Sequence, residues 1–151
     1  MNTRLALITL TAGLTWTSAL YAAERGTPDE AKAMLAKAVA HYKDVGRDRA
    51  LSDFSKKQAP FGDRDLYVFC IGPGDVLSAN GGFPSLVGGS VDVLKDANGK
   101  PLGKSLVDAA AHGGSLEYPM MNPATRRAET KVSFVEKVGT DVCGVGAFNP
   151  K

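Results

Sequence analysis

Histidine and nucleophilic serine, the side chains that most often carry catalysis, show no catalytic arrangement in this sequence. The two histidines, His41 and His112, lie far apart along the chain. A Gly-x-Ser-x-Gly motif, the sharp turn that presents the serine of many hydrolases, is missing. His112-Gly113-Gly114 resembles an esterase oxyanion loop, but it stands where a helix is predicted to end, and glycine is the usual helix stop. The motifs therefore predict no catalytic residue.

Metal-binding and cofactor-binding motifs are equally weak. Asp96-Ala97-Asn98-Gly99 resembles the start of a calcium loop, yet that loop needs its glycine two residues later, where this chain has Pro101. An Asn-Gly turn explains the same residues. The chain has no Cys-x-x-Cys pair and no glycine-rich phosphate loop ending in Lys-Ser or Lys-Thr. The sequence predicts neither a metal nor a cofactor.

Lys131 is the polar residue whose surroundings suggest binding. It lies in a predicted strand over residues 129–138, where side chains alternate between the two faces, so Lys131, Ser133 and Val135 share one face. A lysine flanked by small residues can meet a carboxylate as a point charge. The alternative is a solvated lysine on a strand, and spacing alone favours that alternative, because lysine is rarely buried.

The first 23 residues have the pattern of a secretory signal peptide. A short start with Arg4 is followed by an uncharged, mostly apolar run over residues 5–20 and by the small residues Ala22 and Ala23. The run is shorter than the roughly 20 residues that a membrane-spanning helix needs. We predict cleavage near Ala22-Ala23, with residues 24–151 forming one domain that is periplasmic or secreted. An uncleaved anchor is the alternative.

Charge and cysteine content narrow the partners and the compartment. The net charge of +2 is too balanced to suggest nucleic acid as a main partner. The two cysteines are Cys70 and Cys143. An even number of cysteines in an exported chain favours a disulfide. Two buried free thiols, which behave as small apolar side chains, are the alternative.

Helix and strand patterns combine into an α+β domain. Thr27 can cap a helix that starts at Pro28, Glu30 completes a capping box, and Gly46 is a natural stop. A second helix fits residues 48–56. Strands are predicted at residues 66–71, 76–79, 115–118, 129–138 and 142–148, a short helix at 105–112, and loops at 80–89 and 119–127. Leading helices before five mostly antiparallel strands indicate the α+β class.

Four stretches in the middle and end of the chain carry a resemblance through their order and spacing. They are Leu66-Tyr67-Val68-Phe69 with its return Asp75-Val76-Leu77; Leu86-Val87-Gly88 followed by Leu94-Lys95-Asp96-Ala97-Asn98-Gly99-Lys100-Pro101; Gly113-Gly114-Ser115-Leu116-Glu117-Tyr118; and Asn122-Pro123-Ala124-Thr125 with Glu129-Thr130-Lys131-Val132-Ser133-Phe134-Val135, closing on Gly144-Val145-Gly146. Together they resemble the single Cache domain, the extracytoplasmic ligand-sensing module of many bacterial receptors. The helix from Pro28 matches the long leading helix of such domains.

The resemblance implies a PAS-like fold with the long helix on one face of a central sheet and a small-ligand pocket on the other. It implies that the ligand is a short carboxylate bound by Lys131. The residues expected to shape the cavity around Lys131 are Tyr118, Met120, Phe69 and Ser133. In such a sheet the strands of Cys70 and Cys143 are neighbours, so the resemblance also implies a disulfide between them. The chain departs from the family at Ala79-Asn80, where many members have His-Pro, and at Phe134, where tyrosine is common.

The expected function is that of an exported sensory module that binds a small organic acid. Receptors of this family continue through the membrane, whereas this sequence ends at Lys151. We therefore expect a separate partner, such as a membrane receptor or kinase, to read ligand occupancy, and a homodimer could form through the N-terminal helix. Two other classes stay open: an enzyme of isomerase or hydrolase type with Glu117 as base, and a structural or interaction protein with a collapsed pocket.

Overall fold

The computed structural model describes residues 25–112, 114–122 and 125–148. The predicted signal peptide, residues 1–23, lies outside these ranges. The helices are α1 (Pro28–Val45), α2 (Arg47–Phe54) and α3 (Gly103–Ala111), and the strands are β1 (Gly62–Asp63), β2 (Leu66–Gly72), β3 (Val76–Asn80), β4 (Ser115–Asn122), β5 (Arg127–Val138) and β6 (Asp141–Phe148). Short 3₁₀ turns occur at Pro84–Leu86 and Val91–Val93. None of the described helices is long and apolar enough to cross a membrane.

All strand pairs are antiparallel, and the sheet order is β1-β2-β6-β5-β4, with β3 also paired to β2. The five longer strands are the five predicted ones, and β1 adds a two-residue pairing at one end of β2. Because β2 has neighbours on both edges, the prediction that its apolar sequence marks a central strand is confirmed. The predicted α+β fold is likewise confirmed.

Helix α1 begins and ends where the sequence predicts. The Thr27 hydroxyl accepts the Glu30 backbone N–H at 3.2 Å, and the Glu30 carboxylate accepts the Thr27 backbone N–H at 2.7 Å, which is a complete capping box. Arg64 donates to the same carboxylate at 2.7 Å. The hydrogen bond from Arg64 and those from Thr27 lower the pKa of Glu30 to about 2. Gly46, with φ of 82°, ends α1.

Both faces of the sheet are covered, and β2 shows why. Its side chains alternate, so Val68 and Cys70 face the helical layer of α1 and α2, whereas Phe69 and Ile71 face α3 and the long loops. The helical layer contributes a set of buried apolar residues: Ala31, Met34, Leu35, Ala38, Val39, Tyr42, Ala50, Leu51 and Phe54. The opposite core is built from Leu77, Val91, Leu102, Leu106, Val135 and Val142. The sheet therefore separates two apolar cores.

Cys70 and Cys143 form a disulfide, as predicted. The two residues are direct cross-strand partners on the adjacent strands β2 and β6. Both are almost fully buried in the core between the sheet and α1. The bond therefore ties together two strands whose side chains also pack under the helical layer.

The predicted bounds of the loop over residues 119–127 are wrong, because β4 continues to Asn122 and β5 begins at Arg127. Proline usually interrupts strands, since it has no N–H for the ladder. β4, however, is the last strand of the sheet, and proline is tolerated on an edge strand. The free edge at Pro119 instead offers its carbonyl, which accepts the N–H of Ala97 at 2.8 Å. Smaller shifts occur at α2 and α3, which begin one and two residues before the predicted starts.

Asp141, at the start of β6, is completely buried and is surrounded by donors. Its Oδ2 accepts from the Tyr42 hydroxyl at 2.7 Å and from Arg47 Nε at 2.8 Å. Its Oδ1 accepts from the Ser78 hydroxyl at 2.6 Å and from Arg47 Nη2 at 3.1 Å. Burial by itself would raise the pKa of Asp141, but the hydrogen bonds from Arg47, Ser78 and Tyr42 outweigh it and hold that pKa below its usual value. This Asp141 network joins α1, α2, β3 and β6.

Removing the disulfide should destabilise the fold. We expect the double substitution Cys70→Ala and Cys143→Ala to lower the free energy of unfolding by roughly 2–4 kcal/mol, because the unfolded chain regains the entropy of an open loop. Urea denaturation of the oxidised protein and the variant measures the difference. Thiol titration of the unfolded, unreduced wild type should detect no free thiol, and two reactive thiols would contradict the prediction.

Asp141→Asn should lower the free energy of unfolding by about 3 kcal/mol, since it breaks a buried charged network and removes the buried ion-pair partner of Arg47. The pKa of Asp141 is lowered in the fold, so its contribution is complete above the unfolded value of 3.8 and is lost as pH falls below it. The wild type should therefore lose more stability than the variant on acidification. Thermal melts from pH 7 to pH 2 measure both effects. Asp92→Asn, at an exposed position, is the matched control and should change little.

Candidate functional site

An apolar cavity of about 180 Å³ lies on the sheet face opposite α1. Strands β2, β4 and β5 form its floor, and α3 and the segment between β3 and α3 form its walls. Its lining residues are Tyr67, Phe69, Asn80, Phe83, Leu86, Val93, Leu94, Lys95, Leu102, Leu106, Tyr118, Met120 and Lys131. We call this space the apolar cavity. A small concave site with a few polar groups among apolar side chains is the usual form of a ligand pocket.

Asn80 fixes the wall of the apolar cavity where β3 ends. The side chain is buried, and its Oδ1 accepts the backbone N–H groups of Gly82 at 3.1 Å and Phe83 at 2.8 Å. These bonds satisfy donors that would otherwise lose a partner in the turn, and they bring the Phe83 ring to the cavity. Asn80 belongs to the Ala79-Asn80 pair, which stands where many members of the family have His-Pro. Its observed contacts are those of a turn-forming residue.

The segment Asp96-Ala97-Asn98-Gly99 is a turn, as the simpler interpretation of its sequence predicted. Asp96 Oδ1 accepts the backbone N–H groups of Asn98 and Lys100, each at 2.8 Å. Gly99 adopts φ of 80°, which favours glycine. The turn holds Leu94 and Leu102 at its base, where the Leu102 N–H donates to the Leu94 carbonyl at 2.9 Å. Both leucines line the apolar cavity.

Lys131 is buried, so the interpretation of a solvated strand lysine is wrong. The residue is 4 % exposed and lies on β5 opposite Tyr118 of β4 and Phe148 of β6. Gly146, on β6, leaves room for the aliphatic stem, because a Cβ at that position would collide with Lys131 Cε and Ser133 Oγ. Gly146 therefore leaves space for the Lys131 side chain to lie against the covered face of the sheet and to reach the cavity.

The ammonium of Lys131 has aromatic neighbours but no carboxylate in contact. Nζ lies 3.5 Å from the Tyr67 hydroxyl, 4.8 Å from the centroid of the Tyr67 ring and 5.0 Å from that of Phe148. No acidic side chain in the described part of the chain forms an ion pair with it. Burial lowers the pKa of Lys131, and the charges of Tyr118 and Asp65 oppose that shift. Cation–π contacts compensate part of the lost hydration of an ammonium, but much less than a paired anion would.

Four of the five sequence-predicted binding residues meet at the apolar cavity: Phe69, Tyr118, Met120 and Lys131. Ser133 lies behind them, fully buried, and its hydroxyl forms a 2.7 Å hydrogen bond with the Tyr118 hydroxyl in which either group can donate. Ser133 therefore positions Tyr118 and does not line the space. Burial raises the pKa of Tyr118, so its hydroxyl stays protonated and can donate.

A second space of about 230 Å³, which we call the charged cavity, adjoins the first. Its lining residues are Lys57, Asp65, Tyr67, Gly82, Phe83, Met120, Met121, Lys131 and Phe148. Tyr67, Phe83, Met120 and Lys131 line both spaces. Burial, together with the charge of Asp65, raises the pKa of Tyr67 to about 12. The predicted set of binding residues omitted Tyr67 and Asp65. Side chains alternate along a strand, so the sequence pattern that predicts Phe69 on the cavity face also predicts Tyr67 there.

The residue proposed as a base for an enzyme lies elsewhere. Glu117 is exposed on β4, next to Tyr118, and it lines neither cavity. Successive side chains of a strand point to opposite faces, so the position of Tyr118 in the cavity directs Glu117 away from it. Within the described ranges, no group of three or more His, Cys, Asp or Glu side chains could hold a metal ion.

Solved structures with a similar fold are those of chemotaxis and chemosensory proteins. A methyl-accepting chemotaxis protein from Vibrio parahaemolyticus RIMD 2210633 has a TM-score of 0.65 and 23 % identity, over 80 % of this chain and 86 % of the other. A periplasmic sensor domain of a chemotaxis protein has a TM-score of 0.58 and 20 % identity, over 81 % and 90 % of the two chains. A Cache chemosensory domain described for carboxylic acid recognition has a TM-score of 0.55 and 16 % identity, over 81 % and 88 %.

The sequence comparison agrees with the fold. No curated protein matches this sequence. The family model named Single Cache domain 2 matches residues 14–140, which is most of the chain. The same elements that build the cavity, from β2 to β5, fall within the matched region. The chain therefore belongs to the Single Cache domain 2 family.

Proposed function

We propose that this chain is a sensory domain that binds a small organic molecule through a carboxylate held by Lys131. The observation that carries the proposal is a buried ammonium, 4 % exposed, at the meeting point of two cavities and without an anionic partner among the described residues. An unpaired buried charge is costly. A ligand that carries a carboxylate would relieve that cost on binding.

The apolar cavity limits the size and character of such a ligand. Its volume of about 180 Å³ suits a small molecule, and its walls are mostly leucine, methionine and aromatic side chains. Lys131 would form a charge-assisted bond with the carboxylate, and the Tyr118 hydroxyl can add a hydrogen bond. Carboxylic acid recognition by a Cache chemosensory domain of similar fold supports the same ligand class here.

We further propose that the domain acts outside the cytoplasm, in the periplasm or as a secreted protein, after cleavage near Ala22-Ala23. The signal-peptide pattern of residues 1–23 and the Cys70–Cys143 disulfide both support an oxidising compartment. A similar structure is described as a periplasmic sensor domain. Relay of occupancy to a membrane receptor or kinase is part of the proposal, because the similar structures come from chemotaxis proteins.

A homodimer through α1 remains a prediction. The outward positions of α1 are mostly alanine and lysine, with Lys32, Lys37 and Lys43 exposed. Asp29, Glu30 and Asp44 are exposed on α1 as well, so this surface offers both signs of charge and little apolar area for a stable contact. The enzyme hypothesis lacks its proposed base, since Glu117 lines neither cavity.

Lys131→Met should weaken binding of a carboxylate ligand by roughly 10- to 150-fold, the value of one charge-assisted bond of about 1.5–3 kcal/mol. Short aliphatic carboxylates and amino acids are screened first by thermal shift. A ligand at 100 times its dissociation constant should stabilise the protein by about 2.7 kcal/mol. Calorimetric titration then compares the variants. Lys137→Met removes an exposed lysine from the same strand and should bind like the wild type. Equal affinity of the wild type and Lys131→Met would refute the proposal.

The same substitution should stabilise the ligand-free protein. Burial lowers the pKa of Lys131 in the fold, so the unfolded chain binds the proton more tightly and the fold is disfavoured at neutral pH. The free-energy cost of burying the charged Lys131 falls as pH rises from its lowered pKa towards 10.5, the pKa of a free lysine. We expect Lys131→Met to have a higher melting temperature than the wild type at pH 7, by about 2–8 °C for each kcal/mol of unfolding free energy gained. The difference in melting temperature should narrow at pH 10. An equal or lower melting temperature at pH 7 would show that the buried ammonium carries no cost.

A further inference from the structure

The charged cavity brings together two groups of opposite charge that do not contact each other. Lys131 and Asp65 both line it, on β5 and on the turn between β1 and β2. Lys131 Nζ has the Tyr67 hydroxyl as its hydrogen-bonding neighbour, and no ion pair joins it to Asp65. Two complementary charges therefore line one space without a direct contact, and Tyr67 lines that space as well.

Asp65 has one satisfied oxygen and one unsatisfied oxygen. Its Oδ1 accepts the backbone N–H of Gly26 at 2.6 Å, which connects the turn to the residues before α1. Its Oδ2 is buried and has no hydrogen-bond partner among the described residues. A buried carboxylate oxygen without a donor loses its hydration and gains nothing in return. Asp65, which lines the charged cavity, therefore carries an acceptor that no described donor uses.

The two charges together disfavour a simple anion or a simple cation. A plain carboxylate held by Lys131 would bring a second negative charge into the cavity that Asp65 lines, where the two repel each other. A plain amine at Asp65 would meet the ammonium of Lys131 in the same way. A molecule that carries both a carboxylate and an ammonium avoids both repulsions. It also supplies the missing anion to Lys131 and the missing donor to Asp65.

We propose that the ligand is a zwitterionic amino acid, with its carboxylate at Lys131 and its ammonium at Asp65. This inference rests on the proposed function and adds the second recognition group. The side chain of the ligand extends towards the apolar cavity, which shares Tyr67, Phe83, Met120 and Lys131 with the charged cavity. The leucine and methionine walls of that space select an apolar side chain. Lys57, also at the charged cavity, is exposed and contributes less.

The test on the wild type uses matched probes that differ by one charged group. L-valine carries both charges, isovalerate lacks the ammonium, and isobutylamine lacks the carboxylate; L-alanine, propionate and ethylamine form a smaller set. Calorimetric titration should show that the amino acid binds at least about 10-fold more tightly than either of its single-charge analogues. Each analogue loses one charge-assisted bond and meets a like charge in the cavity. Isovalerate binding as tightly as L-valine, with propionate likewise matching L-alanine, would overturn the inference.

The test on the protein uses Asp65→Asn with Asp63→Asn as its control. Asparagine retains an oxygen for the Gly26 N–H but removes the charge. Asp63 is exposed, lies in the same turn region and lines neither cavity. Asp65→Asn should weaken the preferred amino acid by at least about 10-fold and leave its deaminated partner unchanged or tighter. Asp63→Asn should change neither. Circular dichroism melts verify that both variants are folded.

The outcomes separate the inference from the proposed function. If carboxylates bind in a Lys131-dependent manner while amino acids bind no better, the inference of a zwitterionic ligand is wrong and the proposed carboxylate site stands. If Asp65→Asn weakens both members of a matched pair equally, the ammonium contact is also wrong. If neither class binds the wild type, the proposed function fails, and the inference fails with it. A preference for the amino acid that is lost in Asp65→Asn supports both.

Discussion

The buried carboxylate of Asp141 is the interaction on which the arrangement of layers depends. It accepts hydrogen bonds from Tyr42 of α1, Arg47 of α2 and Ser78 of β3, and it belongs to β6. A fully buried carboxylate is tolerated only when such donors surround it, so none of these elements can shift without leaving a charge unsatisfied. The network fixes the helical layer on one face of the sheet. The Cys70–Cys143 bond reinforces the same face from within the sheet.

Lys131 is the opposite case on the other face of the sheet. Asp141 is buried with several donors, whereas Lys131 is buried with aromatic rings and one tyrosine hydroxyl. One buried charge has its partners within the fold, and the other lacks an anion. Asp141, the buried charge with partners, thus lies where the helices join the sheet, and Lys131, the buried charge without an anionic partner, lies at a cavity. That contrast agrees with the general observation that binding sites retain costly groups which a ligand relieves.

The cavity walls differ in character from the sheet that forms their floor. Strands β2 and β6 are largely buried on both faces, but the wall segments include Phe83 and Val93, which are about half exposed. Their local conformations depend on turns held by Asn80 and Asp96 more than on apolar packing. Loops of this kind change length and sequence with little cost to the core. The ligand preference of the domain can therefore change through its walls while the Asp141 network and the disulfide keep the fold.

The sequence alone determined the features whose causes lie within a few residues. The capping box at Thr27 and Glu30 set the start of α1, Gly46 set its end, and alternation placed Lys131, Ser133 and Val135 on one face. The resemblance added the neighbouring strands that make the disulfide possible. Tertiary structure decided the rest. Pro119 stays within β4 because β4 is an edge strand, and the same periodicity describes a solvated or a buried Lys131. Asp65 is held through one oxygen by the distant Gly26, and its place in the same cavity as Lys131 depends on how distant segments pack. Local propensity cannot specify such contacts, because burial and pairing are set by residues far away along the chain.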